Sequence, residues 1–229
     1  MAAEATGGAA WASGVAGAYL HVVIEAVLFD FGGVILTSPF EAFNAYEVEA
    51  GLPPDTIRRL NATNPDDNAW ARFERREVDP DEFARLFEAE AAASGHTVDA
   101  VRILEGLHGA LRPAMVEALR RCAARLGTAL LTNNITPIGA QPFTDPVGEV
   151  VEMFDVVVES SVVGCRKPEP RFYELACEGL GVAPDACVFL DDLGVNLKPA
   201  RAMGMTTIKV VDPDDAIAEL AAVVGFPLG

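Results

Sequence analysis

The chain has 229 residues, with 17 basic against 34 acidic side chains and a formal net charge of −17. A field of this sign repels a phosphate backbone, so nucleic acid is not expected as a partner; no stretch reads as a membrane span, so none is expected in a bilayer. An anionic substrate is still admissible, because a bound divalent cation inverts the local field. Cys122, Cys165, Cys177 and Cys187 form no CxxC pair and do not cluster with His21, His96 or His108. Reduced, partly buried thiols in a cytoplasmic protein are therefore expected.

Residues 1–21 are rich in Ala and Gly, and their first charge is Glu4 rather than a basic start. They are expected to form a flexible extension and not a signal peptide. Val22 to Phe29 reads as a strand. Helix patterns follow over Pro39–Gly51, with Ser38 as N-cap, Pro53–Ala62 and Asp67–Arg75. Two more follow, one starting at Asp79-Pro80-Asp81-Glu82, a capping-box spacing, and one over Val98–Leu107. No strand pattern interrupts them, and a strand-to-helix connection is usually only a few residues long. An inserted helical cap over residues 39–108 accounts for that length. Beyond it, helices are expected over Pro113–Leu126 (ended by Gly127), Glu169–Gly179, Leu193–Met203 and Asp214–Val224. Strands are expected over Thr128–Leu131, Phe154–Val158, Ala186–Leu190 and Thr206–Val211. The alternation predicts an α/β, doubly wound (Rossmann-like), mainly parallel sheet with an inserted small α-helical cap. The core would comprise residues 22–38 and 109–229.

The polar residues after the strands form the functional signal. Asp30 follows Val27-Leu28-Phe29, Thr132-Asn133-Asn134 follows Ala129-Leu130-Leu131, and Asp191-Asp192 follows Cys187-Val188-Phe189-Leu190. Lys167-Pro168 lies a short loop beyond the strand at residues 154–158. In a parallel sheet these ends share one face, where ligands bind. Taken singly, each has an ordinary alternative. Asp30 could shape a turn, Asp191 could cap a helix, and Lys167 could be solvated. Together, Asp30, Asp191 and Asp192 offer the hard oxygen donors that suit Mg2+. Lys167 and the Thr132 hydroxyl suit phosphoryl oxygens, and an aspartate can attack phosphorus.

The ordered set Asp30-Phe31-Gly32-Gly33-Val34, Thr132-Asn133-Asn134, Lys167-Pro168 and Leu190-Asp191-Asp192-Leu193-Gly194-Val195-Asn196 resembles the haloacid dehalogenase superfamily. It is most similar to the superfamily's phosphatases with a small helical cap. The last motif, continuing to Met205, resembles the N-terminal phosphatase domain of soluble epoxide hydrolases; the first motif also resembles that of sugar-phosphate phosphatases. The resemblance implies a Mg2+-dependent phosphatase acting on a small phosphorylated metabolite, such as a sugar phosphate, through phospho-Asp30. Asp30 would be nucleophile and metal ligand, and the Gly32 carbonyl would also reach the metal. Thr132 would hold a phosphoryl oxygen, Asn133 would help position substrate, and Lys167 would orient and neutralise Asp30 and phosphate. Asp192 would be the main acidic metal ligand of its motif, Asp191 would assist, and Asn196, one helical turn beyond Asp192, would support them from outside.

One position departs from the pattern. Such phosphatases carry a second aspartate two residues after the nucleophile, and here that position is Gly32. General acid–base catalysis contributes about 10²–10⁴-fold, so slow turnover is expected unless water, substrate or a cap residue substitutes. Two alternatives follow: a 2-haloacid dehalogenase, which needs no paired acids, and a catalytically weak or inactive phosphate-binding protein.

Overall fold

The computed structural model describes residues 23–107, 109–134 and 146–229. The expected extension at residues 1–21, together with Val22, His108 and residues 135–145, lies outside them. Five strands form one sheet in the order β3-β2-β1-β4-β5, and all four pairings are parallel. They are β1 (Ala26–Phe29), β2 (Gly127–Thr132), β3 (Val156–Glu159), β4 (Cys187–Asp191) and β5 (Thr206–Lys209). Every residue of β1 and β4 is buried, which is why both read as unbroken apolar runs instead of alternating ones.

Both faces of the sheet are covered. Alternate residues Val27, Phe29, Val188 and Leu190 pack against Met115, Leu119 and Leu220. Those three come from α6 (Pro113–Ala123) and α11 (Pro213–Val224). Leu28, Ala129, Leu131 and Phe189 face the other way, onto Phe172, Tyr173 and Leu197 of α9 (Pro170–Leu180) and α10 (Gly194–Ala202). The period of two that sends neighbours to opposite faces makes this a doubly wound layer structure.

Between β1 and α6 run α1 (Pro39–Ala50), α2 (Thr56–Ala62), α3 (Ala69–Glu74), α4 (Pro80–Ala93) and α5 (Ala100–Glu105). They share an apolar cluster of their own, built on Phe43, Ile57, Phe73, Phe83, Phe87 and Ile103. Trp70 stands edge-on to Phe43 and Phe83, with ring centroids 5.5 and 5.3 Å apart. These aromatics fill the insert's interior.

Local chemistry moves several boundaries from their expected places. The second helix starts at Thr56, not Pro53, because the buried Glu47 carboxylate accepts the backbone N–H groups of Asp55 and Ile57, each at 2.8 Å. Asp55 itself is left-handed at φ 61° and its side chain caps nothing. The third begins at Ala69, where Asn68 accepts from Ala71 N at 2.8 Å. Asp79 caps α4 through Glu82 N at 2.8 Å, but the Glu82 carboxylate pairs with Arg85 instead of completing the box. Gly127 does not end a helix. It opens β2, its N–H bonded to Glu25 O at 3.0 Å, while α6 ends at Ala123. Two short helices, α7 (Pro146–Val151) and α8 (Ser160–Val163), carried no periodic signal. Among the described residues no helix is long and apolar enough to cross a membrane.

Glu47 ties α1 to the start of α2, so Glu47→Ala leaves two backbone donors without their acceptor. Hydrogen bonds to a charged group are worth about 1.5–3 kcal/mol, which for a chain of this size lowers the melting temperature by about 4–10 °C. Thermal unfolding followed by circular dichroism measures this, and an unchanged midpoint would remove Glu47 as the staple.

Candidate active site

The strand order reverses between β1 and β4, and ligands of open α/β sheets bind at that switch point, beyond the carboxyl ends of the strands. Phe29 is level with Leu190, so Asp30 and Asp191 emerge side by side. Asp30 N still donates to Leu190 O at 2.9 Å. Thr132 ends β2, the strand on the other side of β1. Its hydroxyl makes no hydrogen bond to the described residues and is free to meet a ligand.

Lys167 comes from the loop between α8 and α9 and is 1% exposed. Its ammonium lies 2.6 Å from Asp30 Oδ1 and 2.9 Å from Asp191 Oδ2. Asn133 fixes the backbone that carries it: Asn133 Nδ2 donates to Lys167 O at 3.0 Å, and Lys167 N donates to Asn133 Oδ1 at 2.9 Å. Sequence reasoning expected Asn133 to help position substrate. In the structure its amide holds the lysine's main chain at both ends. Asn134 extends the brace, accepting from Ser161 Oγ at 2.8 Å.

The paired acids separate in role. Asp191 is fully buried. Besides Lys167, it accepts from Leu193 N at 2.8 Å and from Asn196 Nδ2 at 3.0 Å on each oxygen. Asn196 was expected to face Asp192. Because α10 begins only at Gly194, it reaches Asp191 instead, and Tyr173 Oη holds it by donating to Asn196 O at 2.7 Å. Asp192 is less enclosed, with Ser38 Oγ donating to Oδ2 at 3.5 Å.

Carboxylate oxygens of Asp30, Asp191 and Asp192 lie within 4.8 Å of one another. Burial pushes the Asp30 carboxyl well above the usual range; Lys167 opposes this and Asp191 and Asp192 add to it. Burial and then Asp191 push Asp192 up to about 6, against Lys167. Burial also works against the charge on Lys167, but the two carboxylates outweigh it and its pKa is raised. One ammonium among three carboxylates leaves negative charge uncompensated. An all-oxygen donor set with that deficit fits a hard divalent cation such as Mg2+.

The glycines beside Asp30 differ. Gly33 has φ 88°, and a Cβ there would fall 2.4 Å from Asp192 Oδ2. A Cβ on Gly32 would meet only Pro39, at 3.5 Å, in ordinary contact. Gly33 is thus required by space, and Gly32 is not.

The helical insert touches this loop directly. Arg166, the residue before Lys167, places Nε 2.5 Å from Glu74 Oε2 on α3 and donates Nη1 to Pro65 O at 3.0 Å. Trp70 Nε1 donates to the other Glu74 oxygen at 3.0 Å. No periodic or motif signal marks this pair, whose members are 92 positions apart in the chain.

Residues 24–204 match the haloacid dehalogenase-like hydrolase family. Acyl-CoA dehydrogenase family member 10 of Mus musculus is 37% identical over 210 residues, 89% of this chain but 19% of that protein. A bifunctional epoxide hydrolase of Sus scrofa is 40% identical over 118 residues, 51% of this chain and 21% of that protein. The chain therefore spans about a fifth of these two relatives. A phosphatase of Mycobacterium tuberculosis is 34% identical over 192 residues, 80% of this chain and 85% of that protein. Among solved structures, a HAD family enzyme of Bacteroides thetaiotaomicron in complex with magnesium and inorganic phosphate superposes with a TM-score of 0.56 at 20% identity. That match covers 81% of this chain and 93% of the other.

The contrast between the glycines is testable by a matched pair. Gly33→Ala combines a left-handed residue, costing about 1–2 kcal/mol, with displacement of Asp192. Its melting temperature should fall by about 2–8 °C and the rise conferred by added Mg2+ should shrink. Gly32→Ala should match the unsubstituted protein in both. Equal behaviour of the two variants would contradict the steric assignment.

Proposed function

The chain belongs to the haloacid dehalogenase-like hydrolases, and we propose that it is a Mg2+-dependent phosphatase of small phosphate monoesters, a sugar phosphate among them, acting through phospho-Asp30. The observation that carries this reading is the position of Asp30. It leaves the central strand at the switch point, with one carboxylate oxygen held and the other open. Oδ1 accepts from Phe31 N at 2.6 Å and pairs with Lys167 at 2.6 Å, whereas Oδ2 accepts no hydrogen bond from the described residues.

In this reading Oδ2 attacks phosphorus, the P–O bond to the leaving group breaks, and the alcohol oxygen takes its proton from water. Water then attacks phosphorus, and inorganic phosphate leaves with Asp30 restored as a carboxylate. Lys167 holds Asp30 in its attacking orientation and offsets charge on the phosphoryl oxygens. The free Thr132 hydroxyl donates to one of those oxygens. Asp30, Asp192 and the Gly32 carbonyl would hold the cation, with Asp191 supporting through Lys167 and Asn196. When bound, Mg2+ supplies charge neutralisation at the transferring group. The insert, residues 39–108, acts as a cap that excludes water. The Glu74–Arg166 pair ties that cap to the lysine loop. A dehalogenase would also attack through Asp30 but needs no paired Asp191 and Asp192 beside it, so that pair favours phosphate.

Phosphate release should be measured on sugar phosphates and an aryl phosphate. Turnover should require Mg2+, vanish with EDTA and vanish in Asp30→Asn. Gly32→Asp, whose Cβ would meet only Pro39 in ordinary contact, should raise kcat by about 10²-fold or more by restoring a general acid. No turnover in either the native chain or Gly32→Asp, with folded protein, would overturn the phosphatase reading.

Separately, Glu74→Ala should lower kcat/KM for sugar phosphates by about tenfold or more, because the part-buried Arg166 loses a charged hydrogen bond worth about 1.5–3 kcal/mol and the cap is released. Unchanged kinetics would show that the pair does not hold the cap in place.

A further inference from the structure

A cleft of about 420 Å3 has Asp192 in its wall but none of Asp30, Thr132 or Lys167. It is lined by Gly33, Asp192, Arg112 and Lys209 of the core and by Phe40, Glu41 and Arg58 of the helical insert. Three cations therefore face one small space in a chain where acids outnumber bases 34 to 17. Charge gathered against the overall field marks a place where an anion is held.

The three are only weakly satisfied by the protein itself. Arg58 lies over the Phe40 ring at 4.0 Å, and its carboxylate neighbour Asp55 is 3.7 Å away, both side chains about half exposed. Arg112 donates Nε to Leu36 O at 3.2 Å, while its Nη2 is 4.0 Å from Glu41 Oε1, the outer limit of an ion pair. The exposed Lys209 side chain makes no hydrogen bond or ion pair among the described residues. Glu41 and Asp192 are the acids of the lining. Asp192 is also one of the clustered carboxylates beside Asp30, so one residue walls both spaces. With a cation on the Asp30 side of Asp192, the cleft retains an excess of positive charge.

We propose that this cleft is an anion subsite, and that the chain acts on phosphate monoesters bearing a second anionic group, a phosphate or a carboxylate, at the end remote from the scissile bond. The inference rests on the phosphatase reading and narrows its substrate class. Guanidinium groups match phosphate and carboxylate oxygens by their planar fork, and Lys209 adds a mobile point charge. Phe40 lies under Arg58, with Cζ 4.0 Å from the ring centroid.

The test compares matched pairs in Mg2+: fructose 1,6-bisphosphate with fructose 6-phosphate, and 3-phosphoglycerate with glycerol 3-phosphate. Each is run on the native chain and on Arg58→Gln/Lys209→Gln, both positions being exposed. The native chain should prefer the doubly anionic member by about tenfold or more in kcat/KM, mainly through KM, and the double variant should lose that preference. Hydrolysis of p-nitrophenyl phosphate without any such preference would overturn the subsite and leave the phosphatase reading standing. If no ester is hydrolysed, the phosphatase reading has failed, and calorimetric titration of the same fructose phosphates decides the subsite. Tighter binding of the bisphosphate, lost in the double variant, would uphold it as an anion site. Equal binding, or none, would remove it.

Discussion

Everything at the strand ends depends on one ammonium buried between two carboxylates. Lys167 lies between Asp30 and Asp191, and water does not reach it. Taking such groups out of water costs several kcal/mol each, and the attraction repays it only when geometry is tight and remaining polar atoms are satisfied. The surroundings meet that condition. Asn133 holds the lysine backbone, Asn196 and Leu193 N occupy the other sides of Asp191, and Tyr173 holds Asn196 in turn. Removing the lysine would leave two buried like charges side by side, a loss of about 3–5 kcal/mol. The parallel register that sets β1 against β4 brings those charges together, so fold and site share one constraint.

Asp191 and Asp192 are neighbours in sequence, yet the end of a strand divides them. Asp191 is still paired in register with Lys209 of β5 and points into the dry layer under the sheet edge. Asp192 lies one residue past the strand, where the chain turns toward α10, and its carboxylate fits against a glycine that can carry no side chain. A saturated carboxylate is a scaffold, whereas an unsaturated one beside Asp30 can take a ligand. That division places the open oxygen-donor capacity on Asp30 and Asp192, with Asp191 holding the lysine that orients Asp30.

Much of this was legible before any coordinates. Buried parallel strands write unbroken apolar runs, and the acid or hydroxyl that ends each run declares the sheet edge; Asp30, Thr132 and Asp191 were found that way. Pro39 and Pro80 announced their helices because proline tolerates the first turn. What escaped notice had a common cause. Glu47 starts α2 from another helix, Asn133 grips a backbone 34 positions away, and Arg166 meets Glu74 across 92. Contacts of that separation leave no period and no local spacing. The Asn196 partner was misassigned for a related reason: the i, i+4 rule holds only inside a helix, and α10 had not yet begun at Asp192.

The overall charge raises a last question, because a chain at −17 should repel the anions proposed for it. The range of that repulsion settles the matter. At physiological salt the Debye length is about 8 Å, so exposed acids scattered over the surface are largely screened beyond it. Around the buried Lys167 little screening water remains and near charges act more strongly than in water; in the cleft, where Arg58 and Lys209 are exposed, the charges act only at short range. Under the proposed reading the balance is local: Lys167 against Asp30 and Asp191, a divalent cation against Asp192, and Arg58, Arg112 and Lys209 against Glu41. On that reading an anion is slowed on approach and then held by short-range contacts, so affinity in this chain lies in the residues at the strand ends and in the neighbouring cleft, and very little in its net charge.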